Sequence, residues 1–328
     1  MIITKTPFRV SLFGGGTDIP SWYLENGGSV LSFAINKYCY LTTRILPPFF
    51  DHKYRVAYSL VETVANARQI MHPVVRECIL KYASELNLEI HHDGDLPARS
   101  GVGSSSAFTV GLIHALHTLQ NRDITNIELA NQAIDMEQNV LRENVGSQDQ
   151  IACALGGINF IEFGPGDFWK HQEIKMAKET LDEFQNRLVL IYTGLGRNSS
   201  EINAELFQNI DLKSRYFRRL MELSISCREI LLKSDDLDQI GKMLDESWKL
   251  KQALNSNSSN SNLNDLYQKA LKAGALGGKI LGAGGGGFFL FCVGKDKRND
   301  FLSNFRFGVN VPVEISYSGS TVVYRGGI

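Results

Sequence analysis

Residues 97–107 read PARSGVGSSSA, a loop rich in glycine and serine that runs directly into an amphipathic helix predicted over residues 104–120. Glycine lets the backbone curl so that successive N–H groups point at one anion, and the N-terminus of the helix adds a partial positive charge of about half an electron. A single serine in this place would indicate only a helix N-cap. Glycines followed by a run of serines instead predict a phosphate-binding loop. The loop consists of Gly101, Val102, Gly103, Ser104, Ser105 and Ser106.

A second glycine cluster lies near the N-terminus, where residues 7–18 read PFRVSLFGGGTD. The run VSLF predicts a strand that ends in a glycine turn. Asp18 by itself is explained as the N-cap of the next helix. Arg9 is harder to explain by structure alone, because a charged side chain inside an apolar strand is rarely buried without a partner. We therefore treat Arg9 as a candidate functional residue.

Two carboxylates follow the serine loop. Glu137 lies on a helix predicted over residues 125–142, and Asp149 lies in the first turn of a helix predicted over residues 148–155. A solvated helix face for Glu137 and a favourable charge at a helix N-terminus for Asp149 are the simple alternatives. In the chemical interpretation, one carboxylate holds a metal ion and the other contacts an attacking hydroxyl. Phosphoryl transfer needs both, together with cations that neutralise the moving group.

A third glycine cluster, KILGAGGGGFFL, occupies residues 279–290. Gly282, Gly284 and Gly287 match the GxGxxG pattern, but a dinucleotide-binding motif opens a helix, and here the strand-like run FFLFCV follows. The chain also lacks the GxxxxGKS/T pattern of P-loop proteins. Consecutive glycines are conformationally costly in an ordinary turn. The cluster therefore predicts a close main-chain approach to a ligand or to a neighbouring loop.

The composition argues against several classes of partner. Lys and Arg number 34 against 35 Asp and Glu, so the net charge of -1 gives no electrostatic reason to expect nucleic acid or an anionic membrane surface. No apolar run approaches the ~20 residues that span a bilayer, and the N-terminal sequence MIITKTPFRV does not have the pattern of a secretory signal. The five cysteines are widely spread and form no CxxC pair, which favours a reducing compartment. We expect a cytoplasmic protein.

The order of the predicted elements indicates the fold class. Strands at 2–13 and 29–45 open the chain, a helix-rich second half follows, and regular βαβ alternation is missing, which favours an α+β fold. A polar stretch at about 165–185 separates predicted domains at residues 1–185 and 186–328. The second half is predicted to contain helices at 199–209, 214–233, 236–253 and 263–274, and strands at 287–293, 309–317 and 321–325.

These segments, in this order, resemble the GHMP small-molecule kinases, the family that includes galactokinase, homoserine kinase and mevalonate kinase. The resemblance extends from Pro7 to about Leu290, and the loop at 97–107 is a highly specific motif of that family. The arginine and the Thr-Asp pair are similar in spacing to the sugar 1-kinase branch. Galactokinases, however, usually have Glu-His where this chain has Gly15-Gly16.

Four further matches place the resemblance within that branch. The GGGTD form of the first cluster, HPVVRE at 72–77, TGLGRNSSEI at 193–202 and KAGALGGKILGAGGGGF at 272–288 are similar to D-glycero-D-manno-heptose 7-phosphate kinases and to fucokinase-like proteins. The family resemblance implies an N-terminal α+β domain with a left-handed βαβ unit and a ferredoxin-like C-terminal domain. It places the active site in the cleft between them.

The resemblance also implies roles for individual residues, with ATP and Mg²⁺ as cofactors. Asp149 would orient or deprotonate a sugar hydroxyl, and Arg9 would stabilise the transferring phosphoryl group. Ser105 and Glu137 would hold Mg²⁺, and the serine-glycine loop would wrap the ATP phosphates. The residues implied in substrate binding are Gly15, Gly16, Thr17, Asp18, Arg197, Gly284 and Gly285.

The implied reaction is phosphorylation of the anomeric hydroxyl of a sugar, with D-glycero-D-manno-heptose 7-phosphate as the substrate and the 1,7-bisphosphate as the product. An unphosphorylated sugar such as fucose is the alternative substrate, and a non-catalytic sensor on the kinase fold is the alternative of another class. A sensor predicts damage at Arg9, Glu137 or Asp149, yet all three are present. The oligomeric state is left open, with a homodimer as one alternative.

A substrate that carries a 7-phosphate requires a second cationic pocket, distinct from the ATP site. Each candidate for this pocket has a solvated surface charge as its alternative interpretation. The candidates are His52, Lys53, Arg55, Arg197, Lys249 and Lys251.

Overall fold

Two β-sheets organise the chain in the computed structural model, which describes residues 1–166, 168–195, 213–254 and 260–326. The strands are β1 (Ile2–Phe13), β2 (Gly28–Ile45), β3 (Tyr54–Ala57), β4 (Val61–Val64), β5 (Leu88–Gly94), β6 (Ile158–Gly164), β7 (Phe168–Glu173), β8 (Leu188–Tyr192), β9 (Ala275–Ile280), β10 (Phe288–Val293), β11 (Val309–Val311) and β12 (Thr321–Arg325). The α-helices are α1 (Pro20–Asn26), α2 (Pro73–Tyr82), α3 (Ser104–Leu119), α4 (Asn126–Asp135), α5 (Gln148–Leu155), α6 (Lys178–Arg187), α7 (Ser214–Lys233), α8 (Asp238–Leu254), α9 (Ser261–Lys272) and α10 (Arg298–Asn304). A 3₁₀ turn at Ala67–Gln69 and a π-helical turn at Met136–Val140 complete the helical elements of the described residues.

The larger sheet is built around β1 and β2. Its main path runs β12-β1-β2-β5-β3-β4, and β6 is added on β2 with β7 beside it. Because β2 is 18 residues long, it pairs with two strands in succession, β6 through its first part and β5 through its last. Helix α3 packs against β1 and β2, which places the N-terminus of α3 close to the end of β1.

The pairing of β1 with β2 has two irregularities, one directly after Pro7 and one around Leu12. Proline cannot donate a ladder hydrogen bond, which is consistent with the first irregularity. At the second, Leu12 has no register partner in β2. Such irregularities redirect side chains. Arg9 lies in the short segment between them, just before the glycine turn.

The parallel pair β3 and β5 forms a βαβ unit of the kind that the resemblance implies. The connection between the two strands includes α2. The parallel pairing agrees with the βαβ unit that the resemblance implies. The left-handed sense of its connection stays a prediction.

The smaller sheet confirms the predicted ferredoxin-like domain. Its strand order is β11-β8-β10-β9 and each neighbouring pair is antiparallel. With helices between β8 and β9 and between β10 and β11, this is the βαββαβ arrangement of that fold. Its core is aromatic, with Phe289 stacked on Phe291 and Trp248 of α8 edge-on to Phe289.

The structure shortens one predicted strand and adds elements that were not predicted. The polar stretch at 165–185 contains β7 and most of α6, and the strand predicted at 309–317 is confined to Val309–Val311. Glycine-rich residues just before the third cluster form β9, because they pair with β10 along their length. The helix predicted at 199–209 lies outside the described residues.

The end of the chain returns to the larger sheet. β12 pairs antiparallel with β1, so the predicted C-terminal domain contributes a strand to the N-terminal one. The domain boundary between residues 185 and 186 stays a prediction. Among the described helices, none combines the length and the apolar character needed to cross a bilayer.

Candidate active site

A cleft of about 270 Å³ lies between the parts of the chain that carry the two sheets. The end of β1, the serine-glycine loop and the start of α5 line one side of it, and α7, α8 and the glycine turn before β10 line the other. Arg9, Asp18, Glu137 and Asp149 all line this cleft. The structure therefore brings together predicted residues that lie up to 140 positions apart in the sequence.

The serine-glycine loop has the backbone of an anion-binding turn. Gly101 and Gly103 have φ angles of 90° and 73°, a left-handed conformation that favours glycine. Gly103 is the N-cap of α3, and no side chain caps this end of the helix. The first N–H groups of α3 are therefore left for another acceptor, as at helix termini that bind phosphate.

The side chains of the loop divide between the cleft and the protein. Ser104, Ser105 and Ser106 all line the cleft. Ser106 is also buried, and its hydroxyl donates to Glu137 Oε2 at 3.0 Å. Val102 is fully buried, and its carbonyl accepts a hydrogen bond from the backbone N–H of Arg9 at 3.0 Å. Val102 therefore anchors the loop to β1 and does not itself line the cleft.

Arg9 and Asp149 form a bidentate pair on the floor of the cleft. Arg9 Nε donates to Asp149 Oδ1 at 2.6 Å and Nη2 donates to Oδ2 at 2.5 Å, while Nη1 donates to the Gly101 carbonyl at 2.7 Å. The Arg9 side chain is 5% exposed and that of Asp149 is 24% exposed. A Cβ on Gly103 would lie 3.0 Å from Arg9 Cγ, so glycine allows the loop to approach the pair. Asp149 is thus the charged partner that the sequence led us to expect for the buried Arg9.

Asp18 is buried beside this pair. Its side chain accepts hydrogen bonds from the N–H groups of Gly16 at 2.9 Å and Gln148 at 3.2 Å. Burial raises the pKa of Asp18, and the nearby charge of Asp149 raises it further. A Cβ on Gly146 would lie 1.9 Å from Asp18 Oδ2, so this position also requires glycine. Asp18 joins the glycine turn after β1 to the segment that precedes Asp149.

Glu137 is the most deeply buried carboxylate of the cleft, at 1% exposure. It lies in the π-helical turn after α4, a type of distortion that is frequent at functional sites. Gln150 and Ser106 donate to Oε2, whereas Oε1 has no partner among the described residues. Burial raises the pKa of Glu137 to about 7, with the charge of Glu143 acting in the same direction.

The comparison with known families now decides the identity. The chain matches the model for the GHMP kinases N terminal domain over residues 69–157 and the model for the GHMP kinases C terminal domain over residues 229–308. The two matches together cover just over half of the chain. The chain belongs to the GHMP kinases. It is therefore an ATP-dependent phosphotransferase with an alcohol group as acceptor.

Individual GHMP kinases are similar to this chain over most of its length. D-glycero-alpha-D-manno-heptose 7-phosphate kinase of Campylobacter jejuni is 29% identical and aligns over 93% of each chain. A bifunctional fucokinase/GDP-fucose pyrophosphorylase of Arabidopsis thaliana is 27% identical over 87% of this chain and 29% of that protein. The crystal structure of a D-glycero-D-manno-heptose 1-phosphate kinase from Bacteriodes thetaiotaomicron has a TM-score of 0.81 at 23% identity and covers 100% of both chains. This chain is thus similar to GHMP kinases that act on sugars.

The residues of this GHMP kinase fit a Mg²⁺ ion near Glu137. Mg²⁺ prefers oxygen ligands and is commonly held by one or two carboxylates together with substrate phosphates. The unpartnered Oε1 of Glu137 provides a buried carboxylate oxygen, and the exposed Ser105 lines the same cleft. No group of three or more His, Cys, Asp or Glu side chains in the described residues could form a metal site made of protein ligands alone.

The third glycine cluster contacts the serine-glycine loop of the GHMP kinase, backbone against backbone. A Cβ on Gly282 would lie 2.5 Å from Gly101 Cα, and one on Gly287 would lie 2.2 Å from the Ser100 carbonyl oxygen. That carbonyl also accepts a hydrogen bond from Phe288 N at 3.2 Å. The sequence predicted that this cluster approaches either a ligand or a neighbouring loop. The close approaches described here are to a neighbouring loop.

Some predicted substrate-binding residues do not reach the cleft. Thr17 is fully buried, and its hydroxyl lies 2.8 Å from the Gly14 carbonyl oxygen, so it shapes the turn. Gly284 and Gly285 lie in the glycine turn but are not among the residues that line the cleft, whereas Gly15 and Gly16 are. Arg197 lies outside the described residues.

The candidates for a second phosphate pocket are mostly engaged elsewhere. Arg55 pairs with Glu89 at 2.5 Å and Lys249 pairs with Asp245 at 2.7 Å. Lys251 lines the cleft, where it donates to the backbone carbonyl groups of Ile280, at the end of β9, and Gly282, in the glycine turn. The candidates outside the lining of the cleft are His52, Lys53, Arg55 and Lys249.

Sequence reasoning missed several residues that line the cleft, among them Ser11, Arg99, Gln148 and Lys279. Arg99 and Lys279 are charged residues inside glycine-rich segments, but neither lies in an apolar strand-like run, the signal that drew attention to Arg9. Buried side-chain oxygens of Ser11 and Gln148 have no partner among the described residues. These two residues had no comparable signal, because serine and glutamine are ordinary in a strand and at a helix start.

Proposed function

We propose that this GHMP kinase transfers the γ-phosphoryl group of ATP to the anomeric hydroxyl of D-glycero-D-manno-heptose 7-phosphate, with the 1,7-bisphosphate and ADP as products. The observation that carries the proposal is the bidentate Arg9–Asp149 pair, held against the Gly101 carbonyl beside an uncapped helix N-terminus. This arrangement provides an oxygen acceptor for a hydroxyl next to donors for a phosphate.

The reaction balances without an external acid or base. The anomeric oxygen forms a bond to the γ-phosphorus as the bond from that phosphorus to the β,γ-bridging oxygen breaks, and ADP leaves with the electron pair. Asp149 orients the hydroxyl and takes up its proton once the new bond has formed, as expected for a loose transition state. Catalysis is then mainly positioning and charge stabilisation.

The remaining residues support these two roles. Arg9 faces the moving phosphoryl group, and the N–H groups of the serine-glycine loop bind the phosphates. Glu137 and Ser105 would hold Mg²⁺, which supplies further neutralisation of the phosphate charges when bound. Asp18, with Gly15 and Gly16, would bind the sugar hydroxyls.

The proposed sugar is chosen mainly from the similarity of the sequence to known sugar kinases, and less from the arrangement of side chains in the cleft. The similarity to the heptose 7-phosphate kinase of Campylobacter jejuni over 93% of both chains favours a heptose phosphate. The ion pairs of Arg55 and Lys249 favour the second candidate, an unphosphorylated sugar such as fucose, since they leave fewer cations for a 7-phosphate. We propose the cytoplasm as the site of the activity, and the homodimer stays a prediction.

A panel of acceptors separates the two candidates. ADP release would be measured with ATP and Mg²⁺ for the heptose 7-phosphate, the same heptose without phosphate, mannose 6-phosphate, fucose and galactose. We expect turnover with the phosphorylated heptose, and a kcat/KM for the unphosphorylated heptose lower by at least about 100-fold, the effect of losing a charged contact. Higher activity on fucose or galactose would replace the heptose phosphate as substrate but keep the reaction.

A further inference from the structure

Lys279 contributes a second buried cation to the cleft, and it comes from the smaller sheet. It lies on β9, it is 7% exposed, and it lines the cleft together with Arg9. Its Nζ donates to the Leu12 carbonyl of β1 at 3.1 Å. The side chain therefore crosses from one sheet to the other and ends beside the reaction centre.

The charge of Lys279 is uncompensated in the described part of the chain. No carboxylate there lies within ion-pair distance, and the neighbouring charge that acts on it is that of Arg9, which has the same sign. Burial lowers the pKa of Lys279 to about 7, and Arg9 lowers it further. Asp149 compensates the charge of Arg9, so Lys279 is the one of these two buried cations without a counter-charge. A buried, unpaired charge weakens a fold unless an anion joins it.

A structural role explains only part of this arrangement. Leu12 lies at an irregularity in the β1–β2 pairing, and Lys279 satisfies its free carbonyl. A neutral donor would serve that purpose without placing charge next to Arg9. The positive charge itself therefore calls for an anionic partner, and the ligands of this cleft carry phosphate groups.

We propose that Lys279 is a catalytic residue that forms, with Arg9, a two-cation site for the transferred phosphoryl group. The inference rests on the proposed phosphoryl transfer. Lys279 donates an N–H to an equatorial oxygen of the γ-phosphoryl group as the bond to ADP breaks and the bond to the sugar forms. It gives up no proton in the step, and when the phosphoryl group binds, the fraction of Lys279 that is neutral takes one from solvent.

The test compares Lys279→Met and Lys279→Arg with the control Lys178→Met. Lys178 is an exposed lysine of α6 and does not line the cleft. In Lys279→Met we expect kcat to fall by about 100-fold, with a small change in the KM for ATP, as when one transition-state donor is removed. Lys279→Arg should recover part of this loss because it keeps the charge, and the control should remain within about 2-fold of the wild type. A structural role alone would lower the melting temperature of Lys279→Met and leave its kcat unchanged, which would overturn the proposal.

A binding measurement separates this proposal from the choice of sugar. Aluminium fluoride would be titrated into protein already saturated with ADP and Mg²⁺, where it imitates the transferring phosphoryl group. We expect the Lys279→Met variant to bind it about 100-fold more weakly while its affinity for ADP–Mg²⁺ is kept. This result holds even if no sugar of the panel is a substrate. Equal affinity in wild type and variant would overturn the role of Lys279 whatever the sugar.

Proton uptake in the wild type provides a measurement that needs no variant. Titration calorimetry at pH 7, in buffers of different ionisation enthalpy, should show proton uptake when aluminium fluoride binds to the ADP–Mg²⁺ complex, because a bound anion favours the charged form of Lys279. Because Mg²⁺ is added before aluminium fluoride, any proton released by Glu137 is lost in the earlier step and is not counted in this uptake. This measurement remains decisive if Lys279→Met does not fold. Binding without proton uptake in the wild type would contradict the proposal. The other charged side chains that line the cleft are Arg9, Asp18, Arg99, Glu137, Asp149 and Lys251.

Discussion

Arg9 and Asp149 depend on each other at the scale of the single residue. Arg9 is buried, and its hydrogen bonds go to Asp149 and to the serine-glycine loop. We predict that Asp149→Asn lowers kcat by at least about 100-fold and also lowers the melting temperature, because it leaves Arg9 buried without its counter-charge. Steady-state kinetics and thermal unfolding of the same preparation would measure both effects.

A double-mutant cycle checks the physical reason for that loss of stability. In Arg9→Met/Asp149→Asn the unpaired charge is removed, so the double variant should be more stable than Asp149→Asn while remaining inactive. If the loss of stability in the double variant equals the sum of the losses in Arg9→Met and Asp149→Asn, the two residues are not coupled in the folded protein.

Glu137 gives a prediction about pH. Its folded pKa of about 7 lies above the unfolded value, so the ligand-free protein holds a proton there below pH 7, whereas metal binding requires the carboxylate. The affinity for Mg²⁺–ATP should therefore fall as pH decreases below 7, approaching 10-fold per pH unit. Binding at pH 7 should release more protons in the wild type than in a variant without this carboxylate. Titration calorimetry at pH 6, 7 and 8 measures both quantities.

Two variants locate that proton. Glu137→Gln should bind Mg²⁺–ATP weakly and with little dependence on pH, whereas Glu128→Gln, at an exposed helix start, should keep the pH dependence of the wild type. An unchanged pH dependence in Glu137→Gln would assign the proton to another group.

The sequence alone could identify those residues whose type conflicts with their local context. Arg9 in an apolar strand and the serine-glycine loop are such cases, and the structure brings both to one cleft. Lys279 could not be assigned in this way, because its burial depends on the pairing of β9 with β10 and on the contact of β9 with β1. Thr17 was assigned to the substrate by resemblance, yet its side chain is used inside the turn.

At the scale of elements, the contact of the glycine turn with the serine-glycine loop is one of the contacts that join the two sheets. We predict that Gly287→Ala lowers both the stability and the affinity for ATP, because the new methyl group would lie 2.2 Å from the Ser100 carbonyl oxygen. The expected loss of stability is about 3 kcal/mol or more, from backbone strain and displacement of the loop together. Chemical denaturation and nucleotide titration would measure the two effects.

Gly274→Ala is a matched control for that substitution. Gly274 also has a positive φ, 108°, but a Cβ there would meet nothing within 4 Å. It should therefore show only the strain of a left-handed alanine, about 1–2 kcal/mol, with unchanged affinity for ATP. Equal effects of the two variants on ATP affinity would mean that the close contact is irrelevant to the site.

The elements that sequence reasoning missed share a physical cause. β9 is rich in glycine and contains no local strand signal, and it becomes a strand because β10 supplies a partner. β7 has mostly exposed side chains and is held by β6, so it shows little apolar alternation. Strands and helices with a strong local pattern, such as β1 and α3, were predicted almost to the residue.

At the scale of the whole molecule, the two parts of the chain are connected twice. After β11 the chain returns to the larger sheet as β12, and on the way Gly319 packs against the end of α5, where a Cβ would lie 1.9 Å from the Ala154 carbonyl oxygen. Because α5 carries Asp149 at its other end, this return segment supports the helix of the proposed catalytic residue.

Truncation tests that connection. We predict that deletion of residues 318–328 lowers the melting temperature by more than about 5 °C and reduces kcat, since it removes a paired strand and the support of α5. Deletion of residues 327–328 alone leaves β12 intact and should change neither quantity. A truncated protein as stable and active as the full chain would show that the return segment is dispensable.

The central claim, transfer of a phosphoryl group to an anomeric oxygen, is tested most directly by phosphorus NMR of the product. Wild-type protein and Asp149→Asn would be incubated with ATP, Mg²⁺ and D-glycero-D-manno-heptose 7-phosphate. The account predicts a new phosphate signal coupled to the anomeric proton, formed in step with ADP by the wild type and at least about 100-fold more slowly by the variant. A new phosphate at any other carbon, or equal rates for the two proteins, would contradict it.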